Sequence, residues 1–185
     1  MKRTPTDIDG VAIIELSIHR DDRGFFCERF RHDVWDSYGL SGPLVQQNHS
    51  RSRAGVIRGL HLQHTPAQGK LVGVTRGRIL DVAVDLRPHS PTYKHHVAVE
   101  LSDENGRMLW VPTGFAHGFC VLGDEAADVV YQVTNYYNPT GEIGLYYADP
   151  EIGIRWPVAS PVISARDSAL PSLAVLEETL KKVNV

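Results

Sequence analysis

The segment Ile79-Leu80-Asp81-Val82-Ala83-Val84-Asp85-Leu86 alternates without a break, with Leu80, Val82, Val84 and Leu86 on one side and Asp81, Ala83 and Asp85 on the other. A period of two predicts a strand with one buried face. Similar runs occupy Val11–Ile18, Phe25–Phe30, Gly55–Gln63, Lys70–Thr75, His95–Leu101, Met108–Val111, Phe119–Leu122 and Val129–Tyr136. Turn-forming stretches such as Arg76-Gly77-Arg78, Pro88-His89-Ser90-Pro91 and Glu104-Asn105-Gly106 separate them. Helix signals are few. Asp33–Gly39 reads as a short turn of helix, capped by Asp33 and ended by Gly39. Leu173, Leu176 and Leu180 have the spacing of a short amphipathic helix near the C-terminus. Many short strands and few helices predict an all-β sandwich or barrel, in one domain covering residues 1–185.

The charge balance of 19 Lys and Arg against 22 Asp and Glu, with no basic block, argues against a dedicated nucleic-acid binder. It leaves room for a local basic pocket that takes a phosphorylated small molecule. No apolar run approaches the roughly 20 residues of a membrane helix, and Met1-Lys2-Arg3-Thr4-Pro5 leads into no apolar signal core. Cys27 and Cys120 are too few for a secreted disulfide scaffold, so a cytoplasmic protein with free thiols is expected.

The chemistry-bearing residues gather in two segments. Gly55-Val-Ile-Arg-Gly-Leu-His61-Leu-Gln63 puts His61 and Gln63 on one strand face with Ile57, a polar pair among apolar positions that points to a cavity. Gly106-Arg-Met-Leu-Trp-Val-Pro112-Thr-Gly114-Phe-Ala-His117 brings a Pro, a Gly and a His into a strand entry. The two spacings resemble the paired motifs of the cupin superfamily, which implies a double-stranded jelly-roll barrel. Metal-binding cupins hold their ion with two histidines and a glutamate from the first motif and a histidine from the second. Here His61 and His117 fill two of those places, Gln63 stands at a third, and Lys70 follows where a glutamate is expected. Two imidazoles beside an ammonium make a poor cation site, so the expectation is a site without metal or cofactor. A base beside a fixed cation suits removal of a proton next to a carbonyl, with the cation favouring the enolate. Tyr131 shares a strand face with Val129 and Val133 and is a candidate acid across the cavity; Asp167 is available to orient the imidazole.

Further segments make the resemblance specific. Gly55–Gln63, Gln68-Gly-Lys-Leu-Val72, Asp81–Arg87, Ser90-Pro-Thr-Tyr93, Gly114–Phe119, Asn135-Tyr-Tyr-Asn-Pro139 and Gly153-Ile-Arg-Trp-Pro157 are similar, in order, to the dTDP-4-dehydrorhamnose 3,5-epimerase family. The resemblance implies inversion of C3 and C5 in a dTDP-linked 4-keto-6-deoxyhexose. His61 would be the base, Asp167 its partner, Lys70 the enolate-stabilising cation and Tyr131 the acid, with His117 beside the sugar. Implied substrate contacts are Arg23, Glu28, Gln46, Gln47, Asn48, Arg58, Glu142 and Arg166, the arginines 58 and 166 serving the pyrophosphate. Phe26 and Tyr136 are aromatic candidates for the thymine ring. A homodimer formed by strand exchange or edge pairing is also implied, with Arg23 and Glu28 reaching the neighbouring subunit's site. Regular alternation puts Arg58 and His61, three residues apart, on opposite faces, and a bulge at Gly59 is predicted to turn Arg58 inward. Lys94 departs from the pattern by standing where members commonly carry glycine. Three alternatives stay open: a single-carbon epimerase of the same family, a metal-dependent cupin using His61 and His117, and a non-catalytic sugar-nucleotide-binding cupin.

Overall fold

The computed structural model describes residues 1–40 and 42–182. Its strands, in chain order, are β1 (Lys2–Pro5), β2 (Ala12–Glu15), β3 (Ile18–Asp21), β4 (Gly24–Cys27), β5 (Gln46–Ser52), β6 (Ile57–Gln63), β7 (Lys70–Arg76), β8 (Arg78–Asp85), β9 (His96–Ser102), β10 (Arg107–Val111), β11 (Phe115–Val121), β12 (Ala127–Val133) and β13 (Glu142–Gly144). The α-helices are α1 (His32–Ser37), α2 (Ala165–Ser168) and α3 (Leu173–Leu180), and a 3-10 turn covers Pro139–Gly141. One sheet runs β1-β2-β10-β7-β12-β5 and the other β13-β6-β11-β8-β9, while among the described residues β3 and β4 pair only with each other. The pairings between named strands are antiparallel, and the two large sheets face each other as the walls of a jelly-roll barrel.

Side chains from both walls meet between the sheets: Val72, Val74, Leu109, Val111 and Val129 from one, Ile79, Ala83, Leu101, Phe115 and Val121 from the other. The outer faces are covered as well. Leu173, Leu176 and Leu180 of α3, with Leu145 and Ile152, lie on Leu60, Leu62, Val82, Val84 and Leu86. On the other wall Trp35 of α1 meets Trp110 edge-on at 4.9 Å, within a cluster that includes Ile14, Leu71 and Met108. This corrects the sequence reading of Ile79–Leu86. The strand is buried on both faces, because α3 covers the leucine–valine side and the barrel encloses Asp81 and Asp85, both fully buried.

Other boundaries shift for local reasons. β11 begins at Phe115 rather than Phe119, directly after Gly114, whose φ of +85° turns the chain into it. The expected single strands Val11–Ile18 and Phe25–Phe30 give way to β2 and a β3–β4 hairpin. Asp33 does not cap α1. Arg31 occupies that position, and Asp33 sits in the first turn, where its Oδ1 accepts from the Val34 N–H and the Arg31 guanidinium. Gly39 follows the helix with φ +64°, as its expected role requires. β5 and β13 carry no readable apolar period, because Gln46–Ser52 is polar throughout and β13 is only three residues long.

Candidate active site

Strand β6 carries the first half of the site. Its pairing with β11 sets His61 opposite His117 and Arg58 opposite Phe119, three steps along one strand against two along the other. The extra residue is a bulge at Gly59, which has φ +117°. A Cβ there would lie 2.7 Å from both Gly118 Cα and the His117 carbonyl oxygen, so only glycine fits. The bulge removes the parity conflict: Arg58 and His61 line one cavity of about 620 Å³.

Within this cavity His61 Nε2 lies 2.9 Å from Asp167 Oδ1, and Asp167 Oδ2 accepts the Gly59 N–H at 3.1 Å. A buried carboxylate accepting from Nε2 assigns the proton to that nitrogen and leaves a lone pair on Nδ1. Nδ1 is 3.6 Å from Glu142 Oε1. Burial pushes the His61 pKa below its usual value, against the pull of Asp167 and Glu142 and with some help from Lys70. The imidazole is therefore neutral near pH 7 and able to accept a proton.

Lys70, at the start of β7, is buried and donates from Nζ to the His61 carbonyl at 3.2 Å. Burial lowers its pKa to about 8, with Glu142 and Asp81 opposing the fall. On β11, His117 Nε2 lies 2.8 Å from Asp81 Oδ1, while Asp81 Oδ2 has no hydrogen-bond partner among the described residues. Tyr131 enters from the facing sheet on β12, between the fully buried Val129 and Val133. Burial and then Glu142 raise its pKa, while Asn48 on the paired strand β5 and the charge of Arg58 act the other way. A phenol held protonated is suited to donate.

Glu142, on β13, faces His61 and is also held by Arg166, with Nη2 3.2 Å from Oε2. Arg166 and Asp167 come from α2, a single turn whose cap is Ser164; the Ser164 Oγ accepts from the Asp167 N–H at 3.0 Å. Ser164-Ala-Arg-Asp167 has the spacing of a helix-capping pair, a signal that could have marked Ser164 from the sequence.

The structure thus brings His61, Lys70, Tyr131, Asp167, His117, Arg58, Gln46, Asn48, Glu142 and Arg166 to one cavity. It does not bring Arg23, Phe26, Glu28, Gln47 or Tyr136 there. Gln47 alternates away on β5 between Gln46 and Asn48 and is exposed. Tyr136 is 70% exposed, and its neighbour Tyr137 lines the cavity instead, because β12 ends at Val133 and the chain beyond keeps no period. Arg23, Phe26 and Glu28 belong to the β3–β4 hairpin and its exit, where Arg23 pairs with Asp21 at 2.6 Å and Phe26 is 71% exposed.

The donor set does not fit a cupin metal. The Gln63 amide donates to the carbonyls of Pro66 and Tyr136 and accepts from the Asn138 N–H, so both its ends are occupied. His61 and His117 each have a ring nitrogen on an aspartate, and the Lys70 ammonium lies near Glu142 and Asp81. Among the described residues no three His, Cys, Asp or Glu side chains are grouped to hold an ion.

A family model described as dTDP-4-dehydrorhamnose 3,5-epimerase matches residues 5–175. The dTDP-4-dehydrorhamnose 3,5-epimerase of Shigella flexneri is 49% identical over 164 residues, which cover 88% of this chain and 90% of that protein. A dTDP-6-deoxy-D-glucose-3,5-epimerase from Legionella pneumophila Philadelphia 1, solved in complex with dTDP-4-keto-L-rhamnose, superimposes with a TM-score of 0.92 at 45% identity, covering 97% of this chain and 96% of that one. A 3'-monoepimerase from Streptomyces bikiniensis in complex with dTDP-quinovose gives a TM-score of 0.88 at 34% identity, over 95% of this chain and 89% of that one. The chain belongs to the dTDP-4-dehydrorhamnose 3,5-epimerase family.

Proposed function

We propose that this protein inverts C3 and C5 of a dTDP-linked 4-keto-6-deoxyhexose, using its own side chains as base, cation and acid. The observation that carries the reading is the His61–Asp167 pair facing Tyr131 across one cavity, with the buried Lys70 between the walls. His61 Nδ1 takes the proton from the carbon next to the C4 ketone. The C–H electrons form the C3=C4 double bond and the carbonyl electrons move to O4. The Lys70 ammonium offsets the charge on that oxygen, and Asp167 stabilises the imidazolium. Tyr131 then delivers its proton to the same carbon from the facing sheet, the ketone reforms and the centre is inverted. Transfer of the proton from His61 to Tyr131 through water restores both groups. C5 also flanks C4, so the same groups serve a second time and no cofactor is consumed. Arg58 and Arg166 at the cavity rim suit the diphosphate.

Turnover of the 4-keto sugar nucleotide in D2O is expected to place deuterium at both C3 and C5. Label at C3 alone would assign the single-carbon reaction. His61→Asn is expected to lose exchange by about a thousandfold; exchange at the wild-type rate would overturn the assignment of the base.

The proposal includes a homodimer. Among the described residues the β3–β4 hairpin pairs with no strand of either large sheet, and it presents Phe25 and Phe26 to solvent beside Arg23. Placed over a second copy, it would bury both rings and bring Arg23, Phe26 and Glu28 to that copy's cavity. Light scattering on Phe25→Ser/Phe26→Ser is expected to read one chain where the native protein reads two; a native monomer would remove the dimer from the reading. Free thiols at Cys27 and Cys120 fit a reducing cytoplasm, which completes the proposal. Among the described residues no helix is long and apolar enough to cross a membrane.

A further inference from the structure

We propose that Ser52 is a positioning residue for Arg58, orienting its guanidinium so that the two terminal nitrogens meet the diphosphate of the nucleotide-linked sugar. The inference rests on the reading of Arg58 as a diphosphate ligand and adds a residue that no motif marks. Three observations support it.

The first is geometric. Ser52, the last residue of β5, is 3% exposed and held in register opposite Ala127 on β12. Its Oγ accepts from Arg58 Nε at 2.8 Å. A buried hydroxyl on a strand is a fixed point, whereas Arg58 is exposed and its side chain is long. The second is electrostatic. Arg166, the other arginine at the rim, is ion-paired with Glu142. Arg58 has no ion pair among the described residues, so its charge is the uncompensated one at the cavity mouth. The third is stereochemical. A guanidinium presents two paired-donor edges, one formed by Nε and a terminal nitrogen, the other by the two terminal nitrogens. Occupying Nε with an uncharged acceptor removes the first edge from competition and leaves the second for phosphate oxygens without neutralising the cation. A carboxylate at position 52 would fix the side chain equally well and cancel the charge. The bulge at Gly59 turns Arg58 to the cavity, and Ser52 sets the direction in which it reaches. Binding then loses less conformational freedom in the long side chain.

The test compares affinities for dTDP, which carries the diphosphate, and for thymidine, which lacks it, by calorimetry on the intact protein. Ser52→Ala is expected to weaken dTDP about three- to tenfold while thymidine binds as before. Turnover should show a raised KM at nearly constant kcat, the pattern of lost uniform binding. Ser52→Thr keeps the hydroxyl and is expected to retain most of the dTDP affinity. In an Arg58→Ala background, Ser52→Ala is expected to change nothing further. Equal losses for dTDP and thymidine, or a loss that persists without Arg58, would make Ser52 a structural residue and overturn the inference. Unchanged dTDP affinity in Ser52→Ala, with a large loss in Arg58→Ala, would overturn it while leaving Arg58 on the diphosphate. Unchanged affinity in Arg58→Ala would overturn both.

Discussion

Asp81 and Asp85 lie four residues apart on the same face of β8, both fully buried, yet their surroundings are opposite. Every acceptor position of Asp85 is used. Oδ1 takes the Arg87 N–H and Nε, and Oδ2 takes Arg87 Nη2 and the hydroxyls of Ser90 and Thr92. Asp81 has His117 on one oxygen and no hydrogen-bond partner on the other among the described residues. The Asp85 carboxylate closes a loop, whereas that of Asp81 lies against the cavity's histidine and lysine. A satisfied buried carboxylate contributes to the fold, while an under-satisfied one retained beside such groups is explained by the chemistry there.

That contrast breaks most clearly at Asp85. Burial would push its carboxyl up, but Arg87, Ser90 and Thr92 outweigh burial and hold the pKa at about 2. A depressed pKa contributes stability that is present above the unfolded value near 4 and is lost as pH falls through 2. Asp85→Asn is expected to destabilise the fold by about 3 kcal/mol at pH 7, since it strands Arg87 and loosens the Ser90–Thr92 turn. Urea titrations at pH 7 and pH 3 should show the deficit shrinking at the lower pH. Turnover per folded molecule should be unchanged. A variant as stable as the native chain would leave the network without a structural role.

Asp81→Asn sharpens the other half of the contrast. The substitution removes a carboxylate that supports the charge on Lys70 and fixes the His117 ring. We expect kcat/KM to fall about ten- to a hundredfold, with stability within about 1 kcal/mol of the native value. The pH profile separates misplacement from lost charge. In the proposed mechanism Lys70 must be protonated to face an oxyanion, so native activity should decline as pH rises through about 8. Without Asp81 the lysine is a weaker base and that limb moves to lower pH. Loss of stability with an unmoved limb would make the two aspartates alike and end the comparison.

How much of this could be read from the sequence follows from the same strand. Alternation sorted Asp81 and Asp85 to one side correctly, because the two-residue period is a local property. It could not say that both sides are dry, which depends on α3 folding back over β8 from nearly a hundred residues away. The Gly59 bulge was legible because motif spacing and parity disagreed there, and only an irregular strand reconciles them. Tyr137 was not, since the irregular chain after Val133 has no period to extrapolate. Ser52 was hidden for a third reason: its strand is polar along its length, and its hydrogen bond to Arg58 joins two different sheets.

Lys94 is the position where local and tertiary preferences are most evenly matched. It adopts φ +71°, in the left-handed region, at a place where family resemblance puts glycine. That conformation costs a non-glycine residue about 1–2 kcal/mol. In return Nζ pairs with Glu177 of α3 at 2.8 Å and with Glu151 at 2.9 Å, tying the helix that covers β8 to the loop after it. Partly exposed pairs of this kind contribute up to about 1 kcal/mol each. Lys94→Gly relieves the backbone and removes both pairs, so the two effects offset and the expected change is under about 1 kcal/mol in low salt. Salt decides the sign. Screening weakens the ion pairs and leaves the backbone term untouched. Thermal melts in rising sodium chloride should therefore carry the glycine variant from slightly less stable than the native chain to slightly more. A difference that ignores salt would mean that Lys94 holds α3 by packing its stem rather than by its charge.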